Sequence, residues 1–132
     1  MKIERFEDLE IWKEAREHSK FVFQITSAGS FHNDFRFRDQ IRAAAGSIMD
    51  NIAEGFERDG NREFIQFLSI AKGSCGETRS QSYRAFDNKY INQDTLDQLV
   101  LKTTQLSKQI SSLMSYLKNT EYKGSKFHEP EN

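Results

Sequence analysis

The chain of 132 residues contains a single proline, Pro130, near its C-terminal end. Proline inside a helix removes a backbone hydrogen bond and clashes with the preceding turn, so its absence elsewhere permits long uninterrupted helices. Along most of the sequence, apolar residues recur at intervals of three and four, the spacing of one face of an α-helix. The pattern predicts four helices, over about 8–27, 33–55, 61–88 and 93–118.

Short connections join these predicted helices, which favours antiparallel packing of chain neighbours. The fourth run has its leucines near heptad spacing, the pattern of helices that cross at shallow angles in bundles. We therefore predict an all-α fold, an antiparallel four-helix bundle built by residues 1–118. Residues 119–132 are polar and are expected to form a disordered tail.

The residues at the helix ends and along the stripes lead to more specific expectations. Predicted N-caps, whose side chains can accept a hydrogen bond from a first-turn amide, are Glu7 or Asp8, Asn33 or Asp34, Asn61, and Asn92 or Asp94. The spacing places Phe23 on the apolar stripe of the first helix, and Ile70 among the residues that widen the stripe of the third. Gly73 and Gly76 lie inside the third helix, where glycine costs about 1 kcal/mol relative to alanine, and predict a close helix crossing or a bend.

The composition disfavours several classes of protein. The formal net charge is -1 and neither half of the chain is strongly basic, which weakens a general claim of nucleic-acid binding. The sequence has no signal-like segment and no long apolar stretch, so we expect a cytoplasmic protein without membrane association. The lone Cys75 fits a small core residue, and His18, His32 and His128 lack a second ligand at metal spacing. We expect no metal, no cofactor and no small-molecule substrate.

Two carboxylates, Glu54 and Glu77, are the only pair that suggests acid/base catalysis, because each lies near small residues that would let two helices approach. An ion pair explains a carboxylate equally well, for example with Arg42, which we expect to reach another helix or subunit. We therefore predict no enzyme activity. The acid/base hypothesis requires both carboxyl groups to face one accessible cleft.

The chain also has more phenylalanine than four narrow stripes need to bury. Surplus aromatic residues flanked by arginine are typical of protein interfaces, and we expect self-association. The surplus positions are Phe31, Phe35, Phe56 and Phe67.

Several segments in order along residues 3–118 resemble the 23S rRNA intervening-sequence protein family. They are residues 6–15 (FEDLEIWKEA), 39–44 (DQIRAA), 51–55 (NIAEG) and 63–74 (EFIQFLSIAKGS), followed by Glu77. The resemblance implies an up-down-up-down, left-handed bundle that assembles into a ring-like homopentamer, in bacteria, without known enzymatic activity. It also implies a relation to the accessory protein of diversity-generating retroelements, which has the same bundle and pentamer and binds nucleic acid through a basic surface.

Arg42, Asn51, Glu54 and Glu77 occupy the family's most characteristic positions. These positions allow two interpretations: a polar network between helices that fixes the bundle register, or a recognition patch at one end of the oligomer. The leading functional hypothesis is a non-catalytic oligomeric scaffold, associated with rRNA or ribonucleoprotein. The alternative is a nucleic-acid-binding accessory protein in which symmetry repeats a basic patch, either Arg58 with Arg62 or Arg79 with Arg84.

Overall fold

The computed structural model describes residues 2–120 and 127–128 and confirms the all-α helical bundle. Four long helices account for most of the described chain: α1 (Glu10–Ile25), α3 (Phe35–Glu57), α4 (Asn61–Asp87) and α5 (Gln93–Lys118). Shorter elements are β1 (Lys2–Ile3), a 3-10 helix (Phe6–Asp8), α2 (Gly29–Asn33) and β2 (Phe127–His128). Contacts run from α1 to α3, α3 to α4, α4 to α5 and back from α5 to α1, with α1 and α5 in the loosest contact.

Two of the predicted helix starts are confirmed. The Asp34 carboxylate accepts a hydrogen bond of 3.3 Å from the backbone amide of Phe37 at the start of α3. The Asn92 side-chain oxygen accepts one of 2.8 Å from the amide of Thr95 at the start of α5. Each bond satisfies one of the amides that a helix start leaves unpaired.

The other two predicted caps are wrong. Glu7 and Asp8 lie in the 3-10 helix, and Leu9 occupies the N-cap of α1, which no side chain caps. The N-cap of α4 is Gly60, with φ of 95°, while the Asn61 side chain donates to the carbonyl oxygens of Leu117 (2.8 Å) and Thr120 (3.0 Å). Asn61 therefore ties the start of α4 to the end of α5.

The segment after the first helix and the C-terminal tail both differ from the prediction. Residues 29–33, most of which lie between the first two predicted helices, form the short helix α2. Phe127 and His128 pair antiparallel with Ile3 and Lys2, so these two residues of the predicted disordered tail form a β-bridge instead. Residues 121–126 and 129–132 of that tail lie outside the described residues, and the boundary at 118 stays a prediction.

Buried apolar side chains form two clusters along the bundle. The larger one draws on all four long helices, and the smaller one contains Val22, Phe31, Phe37, Ile41, Ala45, Ala85 and Leu99. His18 of α1, Thr78 of α4 and Thr103 of α5 each fall between members of the two clusters along their helices, and all three are buried. The clusters are therefore separated by a polar layer.

A steric contact at Gly55 fixes the approach of α3 to α4. A Cβ at this residue would lie 2.6 Å from Cβ of Phe67 and 3.0 Å from Cδ1 of Phe64, closer than packed carbon atoms allow. By contrast, a Cβ at Gly73 or Gly76 would have no neighbouring heavy atom within 4 Å. The close crossing that the sequence placed at Gly73 and Gly76 is therefore at Gly55 within this chain.

Phe23 is a further correction, since it was expected in the core and is 57% exposed. Its ring lies against the guanidinium group of Arg42, whose carbon is 4.1 Å from the ring centroid. Ile11, by contrast, is buried at 1% exposure. The α1 stripe is thus rotated toward Ile11 relative to the expectation.

We expect Gly55→Ala to lower the free energy of unfolding by about 1–3 kcal/mol, the usual effect of forcing extra atoms into a packed contact. Gly46→Ala in the same helix is the control, because a Cβ there meets no heavy atom within 4 Å. Alanine favours helix over glycine, so the control is expected to stabilise the fold by up to about 1 kcal/mol. Urea denaturation measures both, and equal effects of the two substitutions would contradict the contact.

The buried His18 makes stability depend on pH. Burial, and then the charge of Lys102, lower the pKa of His18 from 6.5 to about 4. As the pH falls, the unfolded chain therefore takes up this proton before the folded protein does. The free energy of unfolding is not reduced by His18 above about pH 6.5, and it falls by up to about 3 kcal/mol as the pH drops toward 4. Between pH 6.5 and 5, we expect urea denaturation to show a smaller loss of stability in His18→Leu than in the wild type. His32→Gln, at an exposed histidine, is expected to keep the wild-type slope; a wild-type slope in His18→Leu would refute the assignment.

Candidate functional site on the outer face of α3 and α4

The surface between α3 and α4 that faces away from α1 and α5 carries half of the site residues predicted from the sequence, namely Asn51, Glu54, Arg58 and Glu77. We call it the outer α3–α4 face. Its members are Ser47, Asn51 and Glu54 of α3, Arg58 just after α3, and Phe67, Ile70, Ser74 and Glu77 of α4. The two helices are antiparallel, because Gly55, late in α3, contacts Phe67, early in α4, whereas Ser47, earlier in α3, bonds to Ser74, later in α4.

Asn51 belongs to a hydrogen-bonded chain that links the two helices. Its Nδ2 donates to the carbonyl oxygen (2.8 Å) and to Oγ (2.9 Å) of Ser47. Ser74 Oγ of α4 donates to the same Ser47 Oγ at 3.0 Å. Ser74 is 8% exposed, so this bond satisfies a buried hydroxyl and adds to the register of the helix pair.

Glu54 lies in a charged group at the end of α3. Arg58 Nη2 donates to Glu54 Oε2 at 3.0 Å, and Arg58 Nη1 is 3.8 Å from Glu63 Oε2. The guanidinium carbon of Arg58 also lies 5.0 Å from the centroid of the Phe67 ring. The two carboxylates balance the charge of Arg58, and the half-exposed pairs contribute little to stability.

Ile70 is the apolar member of this face, and it is 53% exposed. The sequence analysis expected it to widen the buried stripe of α4. It lies instead to the side of Phe64, Leu68 and Ala71, which face the core. By the antiparallel register it stands level with Asn51 of α3. Gly73, one turn along α4, is also exposed and has open space around its Cα. Ile70 is therefore an exposed apolar side chain in the middle of the outer α3–α4 face, uncovered by the described part of the chain.

Glu77 is not close to Glu54. Its Oε2 accepts a hydrogen bond of 3.5 Å from Gln81 one turn further along α4. The register sets Glu54 level with Phe67, ten residues before Glu77, which corresponds to about 15 Å along the helix. The two carboxyl groups do not share a cleft, so the geometry contradicts the acid/base hypothesis.

Arg42 lies away from the outer α3–α4 face and binds the end of α1. Its Nε donates to Thr26 Oγ1 at 2.8 Å, and its Nη2 donates to Ser27 Oγ at 3.1 Å. It reaches another helix, as expected, but not the other characteristic residues. A single network of Arg42, Asn51, Glu54 and Glu77 is therefore wrong for this chain: Arg42 bonds to residues at the end of α1, whereas Asn51 bonds to Ser47, which in turn bonds to Ser74 of α4.

The four arginines proposed for nucleic-acid contact are spread over the bundle. Arg84 stacks at 4.4 Å on Phe37, near the start of α3, whereas Arg58 lies just past its end. Arg62 is exposed in the first turn of α4, and Arg79 is half-buried in the turn after Cys75. The two predicted pairs therefore lie apart from each other: Arg58 and Arg62 are near the connection between α3 and α4, whereas Arg79 and Arg84 are in the second half of α4.

The remaining chemical candidates are features of the core. Burial raises the pKa of Cys75 from 9.0 to about 12, so the thiol stays protonated. Within the described residues, no group of three or more His, Cys, Asp or Glu side chains is placed to share a metal ion. None of the helices in that part of the chain combines the length and apolar character needed to cross a bilayer.

Comparison with known proteins agrees with the fold and the motifs. The model of the 23S rRNA-intervening sequence protein family matches residues 7–112. A crystal structure of a protein of unknown function from the S23 ribosomal protein family of Bacteroides thetaiotaomicron superposes with a TM-score of 0.72 at 20% identity, covering 79% of this chain and 97% of that one. A search of curated protein sequences gave no significant match. Because the family model spans most of its length, the chain belongs to the 23S rRNA-intervening sequence protein family.

Proposed function

We propose that this protein is a non-catalytic, homo-oligomeric helical scaffold of the bacterial cytoplasm, and that its subunits meet through the outer α3–α4 face. The observation that carries the proposal is Ile70, a branched apolar side chain that is 53% exposed at the middle of that face. Burying such a side chain contributes roughly 1.5–3 kcal/mol. In a homo-oligomer the contact is repeated at every subunit interface.

The surroundings of Ile70 suit a packed interface. The polar side chains nearest to it, Asn51 and Ser74, already bond within the chain, so covering them leaves few polar groups unsatisfied. The glycine at position 73 has no packing role within the described chain and allows another helix to approach closely. Arg58 over Phe67 adds the arginine and aromatic surface common at interface centres.

A ring of five subunits, the assembly that the family resemblance implies, requires two different surfaces on each subunit. In a closed ring the contacts are head-to-tail, so the outer α3–α4 face must pack against another part of the neighbouring subunit. Phe23 and Tyr83, which are 57% and 49% exposed and lie away from Ile70, are the aromatic candidates for that second surface.

We expect Ile70→Glu to dissociate the oligomer, because it sets a charge in the centre of the contact. Leu101→Glu is the matched control: Leu101 is 58% exposed on α5, on the opposite side of the bundle from this face. Light scattering coupled to size exclusion is expected to give the monomer mass of 15.4 kDa for Ile70→Glu and the wild-type mass for Leu101→Glu. An unchanged mass for Ile70→Glu, with helicity retained by circular dichroism, would rule this face out.

Nucleic-acid binding stays a separate prediction, together with the link to rRNA or ribonucleoprotein. It would rely on repetition around a ring of Arg58 with Arg62, where Glu54 and Glu63 lie close to Arg58, or of Arg79 with Arg84. Non-specific binders usually show dissociation constants of about 10⁻⁴ to 10⁻⁶ M that weaken steeply with salt. Mobility-shift titration with RNA and DNA that shows no salt-sensitive binding below about 100 µM would remove this alternative.

A further inference from the structure

A cavity opens between α1 and α5, on the side of the bundle opposite the outer α3–α4 face. Its volume is about 290 Å³, close to the lower end of the range for small-molecule sites. We call it the α1–α5 groove. Leu106 and His18 belong to the bundle core beneath it, and its polar lining consists of Lys13, Glu14, Glu17, Lys102 and Gln105.

His18 distinguishes this groove from an ordinary gap between helices. The residue is 1% exposed, and neither ring nitrogen has a hydrogen-bonding partner among the described residues. The other two members of the polar layer form hydrogen bonds within their own helices. Thr78 Oγ1 donates to the carbonyl oxygen of Ser74 at 2.9 Å, and Thr103 Oγ1 donates to that of Leu99 at 2.8 Å. The His18 imidazole makes no such hydrogen bond to its own helix, and an unpaired buried polar group costs about 1–3 kcal/mol.

The state of the imidazole is set by its surroundings. Burial and the charge of Lys102 lower the pKa of His18 to about 4, so the ring is neutral at pH 7. A neutral imidazole offers one N–H donor and one nitrogen acceptor. Both belong to a side chain that lines the groove, beside the ammonium group of Lys102.

The charges along the groove are balanced. Two ammonium groups, of Lys13 and Lys102, stand with two carboxylates, of Glu14 and Glu17. Two of these groups form ion pairs along α1: Lys13 with Glu10 at 3.5 Å, and Glu17 with Lys20 at 3.6 Å. Lys102 and Glu14 make no ion pair within the described part of the chain. A site with one unpaired charge of each sign suits a ligand that carries both, whereas two carboxylates would repel a phosphate dianion.

We propose that the α1–α5 groove binds a small zwitterion of amino-acid size, with its carboxylate bound by Lys102 and by the N–H of His18, and its ammonium group facing Glu14. The two ligand groups then supply partners that His18, Lys102 and Glu14 lack within the described part of the chain. The site is separate from the subunit contact proposed at Ile70. A carboxylate beside His18 favours the charged imidazole, so binding also raises the pKa of His18 toward its ordinary value.

The test uses the full-length protein labelled with ¹⁵N-histidine, with the imidazole signals followed by NMR. His32→Gln and His128→Gln identify the signals of the other two histidines and leave those of His18. The twenty L-amino acids are titrated one at a time to about 10 mM. This concentration exceeds a dissociation constant of about 1 mM, so a weak ligand would also be detected. We expect at least one to shift the His18 signals saturably and to raise the pKa of that imidazole.

Lys102→Gln and Lys108→Gln provide the matched pair of variants, since both lysines are exposed on α5 but only Lys102 lines the groove. Loss of a charged hydrogen bond is expected to weaken binding about tenfold or more in Lys102→Gln and to leave Lys108→Gln unchanged. Inorganic phosphate serves as the competing probe. The proposal is overturned if no amino acid shifts the His18 signals, if phosphate alone shifts them, or if Lys102→Gln binds as tightly as the wild type.

Discussion

The contact between α3 and α4 at Gly55 sets the arrangement of the most extensively packed helix pair in the bundle. A side chain at that position would collide with Cβ of Phe67, so only glycine allows the two helices to lie this close. The approach in turn brings Ser47 within 3.0 Å of Ser74 and sets the register of the pair. Because of that register, Ile70 stands beside Asn51 and the residues characteristic of the family, except Arg42, share one face.

The opposite side of the bundle is organised differently. Where α1 meets α5, contacts are looser and the interior holds a polar layer in place of apolar packing. Threonine hydroxyl groups fit such a layer because a helix carbonyl lies within their reach. His18 does not fit it in this way, because neither of its ring nitrogens has a hydrogen-bonding partner among the described residues, and it lines the α1–α5 groove. The bundle therefore has two separate surfaces of interest, the outer α3–α4 face with the exposed Ile70 and the small polar groove between α1 and α5.

The sequence predicted the four long helices well, because an apolar period of three to four residues extends over each of them. It also found the caps at Asp34 and Asn92, where a polar side chain stands directly before the periodic run. It failed for residues at the edge of a stripe: Phe23 and Ile70 are a small rotation from the core direction, and the periodicity does not fix that angle. It failed for Asn61 as well, because a long-range partner, the end of α5, outcompeted the local cap.

The residues of the candidate site were visible in the sequence, but their partners were not. The family resemblance singled out Asn51, Glu54 and Glu77 without the register that separates the two carboxylates, and nothing in the sequence indicated that His18 would be unpaired. The central claim is that the outer α3–α4 face holds copies of this chain together. The most direct test is the solution mass of the wild-type protein, stripped of nucleic acid, at low and high salt. We expect a mass near five times 15.4 kDa. A monomer at tens of micromolar, about the concentration at which a specific interface should already be filled, would contradict the account.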